Sequence, residues 1–192
     1  QWGVSFHVTL SEQKPSTDTL AVTLDNQPYR ENGHLVFRPA GHGALIENLN
    51  EMDADVVFIK NIDNVVPTSL RETTVRYKKI IGGCLVKLQR QIASYIQQLR
   101  SGRYTSSDLQ EMLSYLHDTL NVRHESVGVE DTTVLAEYLL SKFNRPLRVC
   151  GVVKNDGEPG GGPYITYNAD NTTSPQILEA AQIDPTDTAM TA

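Results

Sequence analysis

Between Ser69 and Leu99 the residues Ile80, Ile81, Leu85, Leu88, Ile92, Tyr95 and Leu99 recur at helical spacing within a long mixed polar and apolar stretch. Such spacing lines up one face of an α-helix, so the stretch predicts one long helix, with Gly82-Gly83 as the place for a bend. "SGRYTSSDLQEMLSYLHDTL" then supplies a loop, a Ser107 cap with Gln110 three residues on, and a second helix. "EDTTVLAEYLLSKFN" supplies a third. A helical block of this length, over 69–145, interrupts whatever sheet the flanking sequence builds.

The flanks read as α/β. Residues 3 to 11 alternate as a strand, followed by the polar and proline punctuation of "SEQKPSTDT". "LAVTL" and "HLVFR" read as the arms of a hairpin across "DNQPYRENGH". Ala44, Leu45, Leu49 and Met52 place a short amphipathic helix after a glycine turn. The branched run Val56 to Ile59 reads as a central, parallel strand buried on both faces. After the helices, "PLRVCGVV" restores a strand and "KNDGEPGGGP" is a glycine loop. "YITYN" and "PQILEAAQI" read as two strands joined by "ADNTT", and "IDPTDTAMTA" reads as a fraying end. The expected fold is thus α/β with a mixed sheet, as a single domain over 1–192 with a helical insert at 69–145. A start at Gln1, directly in a strand, suggests a piece of a longer chain.

Composition narrows the classes of function. A net charge of −6 and a pI near 5.3 give no general attraction to a polyanion, and the basic residues read as scattered, so nucleic acid is not an expected partner. No apolar run has the length of a membrane helix, and "QWGVSFHVTL" lacks the parts of a signal peptide. A cytoplasmic protein is the expectation. Cys84 and Cys150, far apart in apolar surroundings, read as buried free thiols.

Four places could carry chemistry. In "FIKNIDN" an apolar strand ends in Lys60, Asn61, Asp63 and Asn64; a carboxylate beside amides suits Mg2+, although the same residues serve equally to cap a turn. In "PAGHGAL" the glycines let the backbone approach a phosphate or the polar edge of a base, or simply make a turn. His42 has no second histidine at ligand spacing. "KNDGEPGGGP" is either a loop moulded over a polar substrate or a surface loop, and "SEQKPSTDT" is open to the same two readings. There is no GxxxxGK[ST] and no GxGxxG, and no nucleophile–histidine pairing at usable spacing.

Taken in order, these pieces resemble the UDP-sugar pyrophosphorylases, the sugar nucleotidyltransferases of the UDP-glucose and UDP-N-acetylhexosamine type. "FHVTLSEQ" resembles that family's strand ending in a base-contacting glutamine. "GHLVFRPAGHGALIENL" is similar to its base-binding turn, and "VVFIKNIDN" to its strand ending in an Asp-Asn pair. "RVCGVVKNDGEPGGGP" and "SPQILEAAQI" resemble its sugar-side segments. Over nearly the whole length the chain also resembles an uncharacterised bacterial family sharing "SEQKPSTDT", "FIKNIDNVVP" and the GHGALIENLN turn. The resemblance implies a nucleotidyltransferase-like fold, Rossmann-like and of GT-A type. It implies that Gln13 with Gly41, His42 and Gly43 holds the nucleotide base, that Asp63 ligates Mg2+, and that Gly160, Gly161, Gly162 and Glu179 face the sugar. Lys60 and Lys154 would neutralise phosphate charge as a sugar 1-phosphate attacks a nucleoside triphosphate and pyrophosphate leaves. Two of that family's parts, a glycine-rich triphosphate loop and a second metal ligand, have no counterpart in these residues. The alternatives are a catalytically incomplete nucleotide- or sugar-binding module and a protein-interaction scaffold.

Overall fold

The structure, a computed structural model, describes residues 3–124, 131–157, 160–184 and 186. It is a mixed α/β protein that divides into two units, Gln1–Ile59 and Lys60–Ala192.

The first unit is built from short antiparallel pairs. Strand β1 (Thr19–Leu20) pairs with β4 (Phe37–Arg38), and β2 (Arg30–Glu31) pairs with β3 (His34–Leu35) inside it. The arms expected from "LAVTL" and "HLVFR" therefore do pair, with an extra strand between them. The inner turn is Asn32-Gly33, both at positive φ (51° and 83°), the backbone twist that a two-residue hairpin requires. A 3-10 turn, His42–Leu45, runs into the five-residue helix α1 (Ile46–Asn50).

Two expected strands of this unit form no ladder. Residues 4–10 alternate as predicted, yet Phe6 is 77% and Leu10 97% exposed. Val56 to Ile59 is likewise outside any sheet, with Ile59 74% exposed, which corrects the reading of a buried central strand. Apolar alternation specifies a face, whereas a strand also needs a partner, and neither segment is paired among the described residues.

The second unit holds the core. Helix α2 (Arg71–Ser101) is unbroken through Gly82 and Gly83 and ends at Gly102, whose φ of 67° is the left-handed conformation that stops a helix. Helices α3 (Ser106–Asp118) and α4 (Thr132–Phe143) follow, so the helical block is three helices. Ile92, Tyr95 and Leu99 of α2 pack with Leu109, Met112, Leu113 and Leu116 of α3 and Leu135, Ala136, Leu139 and Phe143 of α4. Tyr95 meets Tyr115 edge-on at 5.3 Å and lies 5.5 Å from Phe143.

The cap of α3 lies two residues earlier than the sequence suggests. Thr105 Oγ1 accepts from the Asp108 amide at 3.2 Å, and Asp108 accepts from the Thr105 amide at 2.7 Å. Ser107 and Gln110 have the same spacing, but the shorter Asp108 carboxylate closes the box two residues back. Thr105→Ala should cost about 1 kcal/mol, a fall of about 2–4 °C in Tm by thermal circular dichroism. Asp131 caps α4 through the amides of Thr133 and Val134.

Strand β5 (Arg123–His124) pairs with β7 (Thr172–Glu179), which pairs in turn with β6 (Gly161–Tyr167), all antiparallel. "YITYN" thus begins three residues earlier than expected. Ala180 N donates to Gly160 O and Asn168 N to Thr172 O, which fixes every second pair of the hairpin as hydrogen-bonded. Pro163 and Pro175 fall in the other set, so their nitrogens face away from the partner strand within the hairpin. Residues 146–153 form no strand; Leu147 packs against the helical core, and a Cβ at Gly151 would stand 3.0 Å from Ile81 Cδ1 of α2. Cys84 and Cys150 are free, as expected, but exposed: Cys84 lies off the packed stripe of α2, and Cys150 in this unpaired segment. Of the expected fraying end, Pro185 and residues 187–192 lie outside the described residues. No helix among the described residues is long and apolar enough to cross a membrane.

Candidate functional site

The base-side residues lie in the first unit, and there the structure brings them together. Pro15 opens a 3-10 turn, Pro15–Thr17, which bends the chain just after Glu12, Gln13 and Lys14. These three consecutive residues are each fastened to the segment 40–51. Asn48 Nδ2 of α1 donates to Glu12 O at 2.8 Å. The Gln13 amide donates to Ala40 O at 2.9 Å and accepts from Ala40 N at 2.8 Å and from Thr17 Oγ1 at 3.1 Å. Lys14 pairs with Glu51 at the end of α1.

Gln13 therefore copies a strand partner's hydrogen bonds onto the residue just before Gly41. Its amide is engaged with backbone, so its part is to set the turn. Gly41, His42 and Gly43 are exposed, and Ala44 N closes the turn onto Gly41 O at 3.0 Å. A Cβ at Gly41 or Gly43 would meet nothing within 4 Å. The approach to this backbone is open.

The phosphate- and sugar-side residues lie in the second unit. Asn61, Asp63 and Asn64 share a 3-10 turn, Ile62–Asn64 capped by Asn61, with Asn64 N donating to Asn61 O at 3.1 Å. The side chain of Asp63 lies outside the described residues. An all-oxygen set of one carboxylate and two amides in a single turn suits a hard cation that takes its other ligands from phosphate and water. Among the described residues no group of three or more His, Cys, Asp or Glu is gathered. Lys60 and Lys154 are both exposed.

Glu179 and the triple glycine are brought together as cross-strand neighbours. Gly161 pairs with Glu179 and Gly162 with Leu178 at the open end of the hairpin, and Ala180 N donates to Gly160 O at 3.2 Å. Gly161 and Gly162 thus belong to β6 rather than to a loop. A Cβ at Gly161 would stand 3.0 Å from Leu178 O, so this pairing needs glycine there. Glu158 and Pro159 of the expected glycine loop lie outside the described residues.

Sequence reasoning missed one polar cluster. Lys142, buried on α4, pairs with Asp170 and donates to Thr172 Oγ1 at 3.1 Å. Asp170 Oδ1 accepts from the Thr172 hydroxyl at 2.6 Å, and Asn168 Nδ2 donates to Thr172 Oγ1 at 2.9 Å and Ser174 Oγ at 3.1 Å. The Lys142 ammonium, and then the Thr172 hydroxyl, hold the Asp170 carboxyl well below the usual carboxylate range. Lys142 also stands 5.6 Å from the centre of the Tyr138 ring, whose hydroxyl burial pushes above its ordinary value. The signal was a lysine at a core position of "YLLSKF" together with a turn carrying Asn168, Asp170 and Asn171. Every polar group named here but the Tyr138 hydroxyl has a protein partner, so the cluster fastens the hairpin to α4.

One family profile matches residues 1–192, that of a domain of unknown function (DUF4301). None of the curated proteins and none of the solved structures matches the chain.

Proposed function

This chain belongs to the family described as a domain of unknown function (DUF4301), and for it we propose a nucleotidyltransferase-like activity: transfer of a nucleotidyl group from a nucleoside triphosphate to a sugar 1-phosphate, with release of pyrophosphate. One observation carries the reading. The "SEQ" and "PAGHG" motifs, which the resemblance pairs around a nucleobase, are joined through Gln13 and Ala40, and the residues on either side of Gln13 are fastened to Asn48 and Glu51 just beyond the turn. An ordinary turn does not need Gln13, whose two-ended amide matches both backbone groups of Ala40.

In this reading Gln13 positions the turn and the Gly41–Gly43 backbone receives the base. Gly160 to Gly162 and Glu179 receive the sugar. Asp63, with Asn61 and Asn64, holds Mg2+, which when bound neutralises phosphate charge. Lys60 and Lys154 supply further positive charge as the sugar-phosphate oxygen attacks the α-phosphorus and pyrophosphate leaves. In-line positioning, rather than a general base, is what the protein contributes. The finer fold that goes with this activity is Rossmann-like, of GT-A type. The cytoplasm is the proposed site of action.

Titration calorimetry with a panel of nucleoside triphosphates, with and without Mg2+, tests the activity's first requirement. Asp63→Ala should remove the metal-dependent part of binding, a loss of at least about tenfold. Equal affinity of Asp63→Ala and the parent chain with metal present would remove the metal role. If no nucleotide raises Tm, the reading fails in favour of a scaffold.

A further inference from the structure

Helix α2 is set apart by its charge. It carries seven of the chain's 17 Lys and Arg residues and one of its 23 Asp and Glu residues. The basic residues, scattered when read along the sequence, are thus concentrated on one element. Arg76, Lys79, Gly83, Lys87 and Arg90 are all exposed and follow one another at intervals of three and four residues, which places them along one face. Arg76 pairs with Glu72 at 3.6 Å. Among the described residues, Lys79, Lys87 and Arg90 have no acidic partner.

In the middle of this face lies an open concavity of about 570 Å³, lined by Gly82, Gly83, Val86, Lys87, Arg90 and Gln91. Two adjacent glycines inside a helix weaken it relative to alanine. Packing does not require the second of them, because a Cβ at Gly83 would meet nothing within 4 Å. What the glycines do produce is a notch, with two cations one turn apart on its wall.

We propose that this groove binds a small phosphoanion, a compound bearing two or more phosphate charges. Lys87 acts as a point charge, and the Arg90 guanidinium offers paired donors to phosphate oxygens. Gly82 and Gly83 admit the body of the ligand against the helix. The volume is that of a small-molecule site. The chain is net negative despite α2, so a long polyanion would be repelled beyond this helix, whereas a short one is not. The inference goes beyond nucleotidyl transfer and stands if that reading fails.

Titration calorimetry with inorganic pyrophosphate, without divalent metal, tests it on the whole chain. Binding should be saturable, weaken as salt rises, and fall at least about tenfold in the double variant Lys87→Ala/Arg90→Ala. Gly83→Leu should lose binding to the same extent while Tm holds or rises, because leucine fills the notch and favours the helix. Arg103→Ala, a charge removed outside this face and outside the proposed nucleotide site, should leave pyrophosphate binding unchanged. Absence of pyrophosphate binding, or binding that survives both α2 variants, overturns the proposal. So does a single-stranded oligonucleotide that binds at least about tenfold more tightly than pyrophosphate through the same residues.

Discussion

Leu139→Ala is expected to lower the stability of the helical unit by about 3–4 kcal/mol. Leu139 is fully buried on α4, in one cluster with Leu109 and Leu116 of α3, which are fully buried too. Truncation removes the transfer free energy of the lost carbons and leaves a hole. The neighbouring Leu109, Leu116 and Phe143 side chains are themselves held by packing from three helices, so the hole closes only in part. Val134→Ala on the same helix, at a side chain 52% exposed, should change stability by less than about 0.5 kcal/mol. Urea unfolding followed by circular dichroism measures both. A loss below about 1 kcal/mol at Leu139 would mean that stability does not rest on the packing of α2, α3 and α4.

The second large effect is at the lysine beneath the hairpin. Asp170→Asn is expected to cost about 2–3 kcal/mol, and Lys142→Met about 1 kcal/mol or less. The pair is unequal in exposure: the Lys142 side chain is 3% exposed and that of Asp170 56%. Asp170→Asn leaves a buried ammonium group with no counter-charge, bonded by neutral acceptors alone, the amide oxygen and Thr172. Removing the ammonium leaves a carboxylate that water already reaches and that still accepts from Thr172. Combining the changes should therefore restore most of what Asp170→Asn loses. The reverse order of the two single variants would show that the carboxylate is the costly partner.

Acid should reveal the same pair. Because the folded state holds the Asp170 carboxyl below its ordinary value of 3.8, its contribution is present above that pH and is lost as pH falls below it toward the folded value. The gap in stability between the parent chain and Asp170→Asn should consequently narrow below about pH 4. A gap independent of pH in that range would assign the effect to shape rather than charge.

These two sites also show how far the sequence could be read. The core was legible in part: Ile92, Tyr95 and Leu99 keep a helical spacing that the helix has by itself, whereas Ile80 of the same stripe stands 58% exposed. The pairing of "LAVTL" with "HLVFR" was legible because the turn residues between them mark a reversal, but the Asn32-Gly33 turn and the strand β2 within that run were not singled out. The run Val56 to Ile59 misled because burial in a sheet depends on a partner strand that no local pattern names. Lys142 was invisible as a buried charge, since its partner lies in a turn 28 residues on. At the candidate site, order along the chain placed Gln13 beside the glycine turn. It gave no sign that the amide would be used on Ala40.

The two prolines of the hairpin bear on how the protein behaves in crowded solution. In an antiparallel pair, residues outside the hydrogen-bonded set direct their backbone groups outward, to whatever strand comes next. Pro163 does so along the free side of β6, and Pro175 along the side of β7 where β5 stops after Arg123 pairs with Thr173. Each margin thus presents a ring nitrogen where an incoming strand would look for a donor. A strand added along β6 would leave a carbonyl unanswered at Pro163, and one added along β7 beyond Arg123 would do so at Pro175. Among the described residues the sheet has three strands, and two residues outside its own hydrogen-bonded set make these stretches poor templates for a fourth.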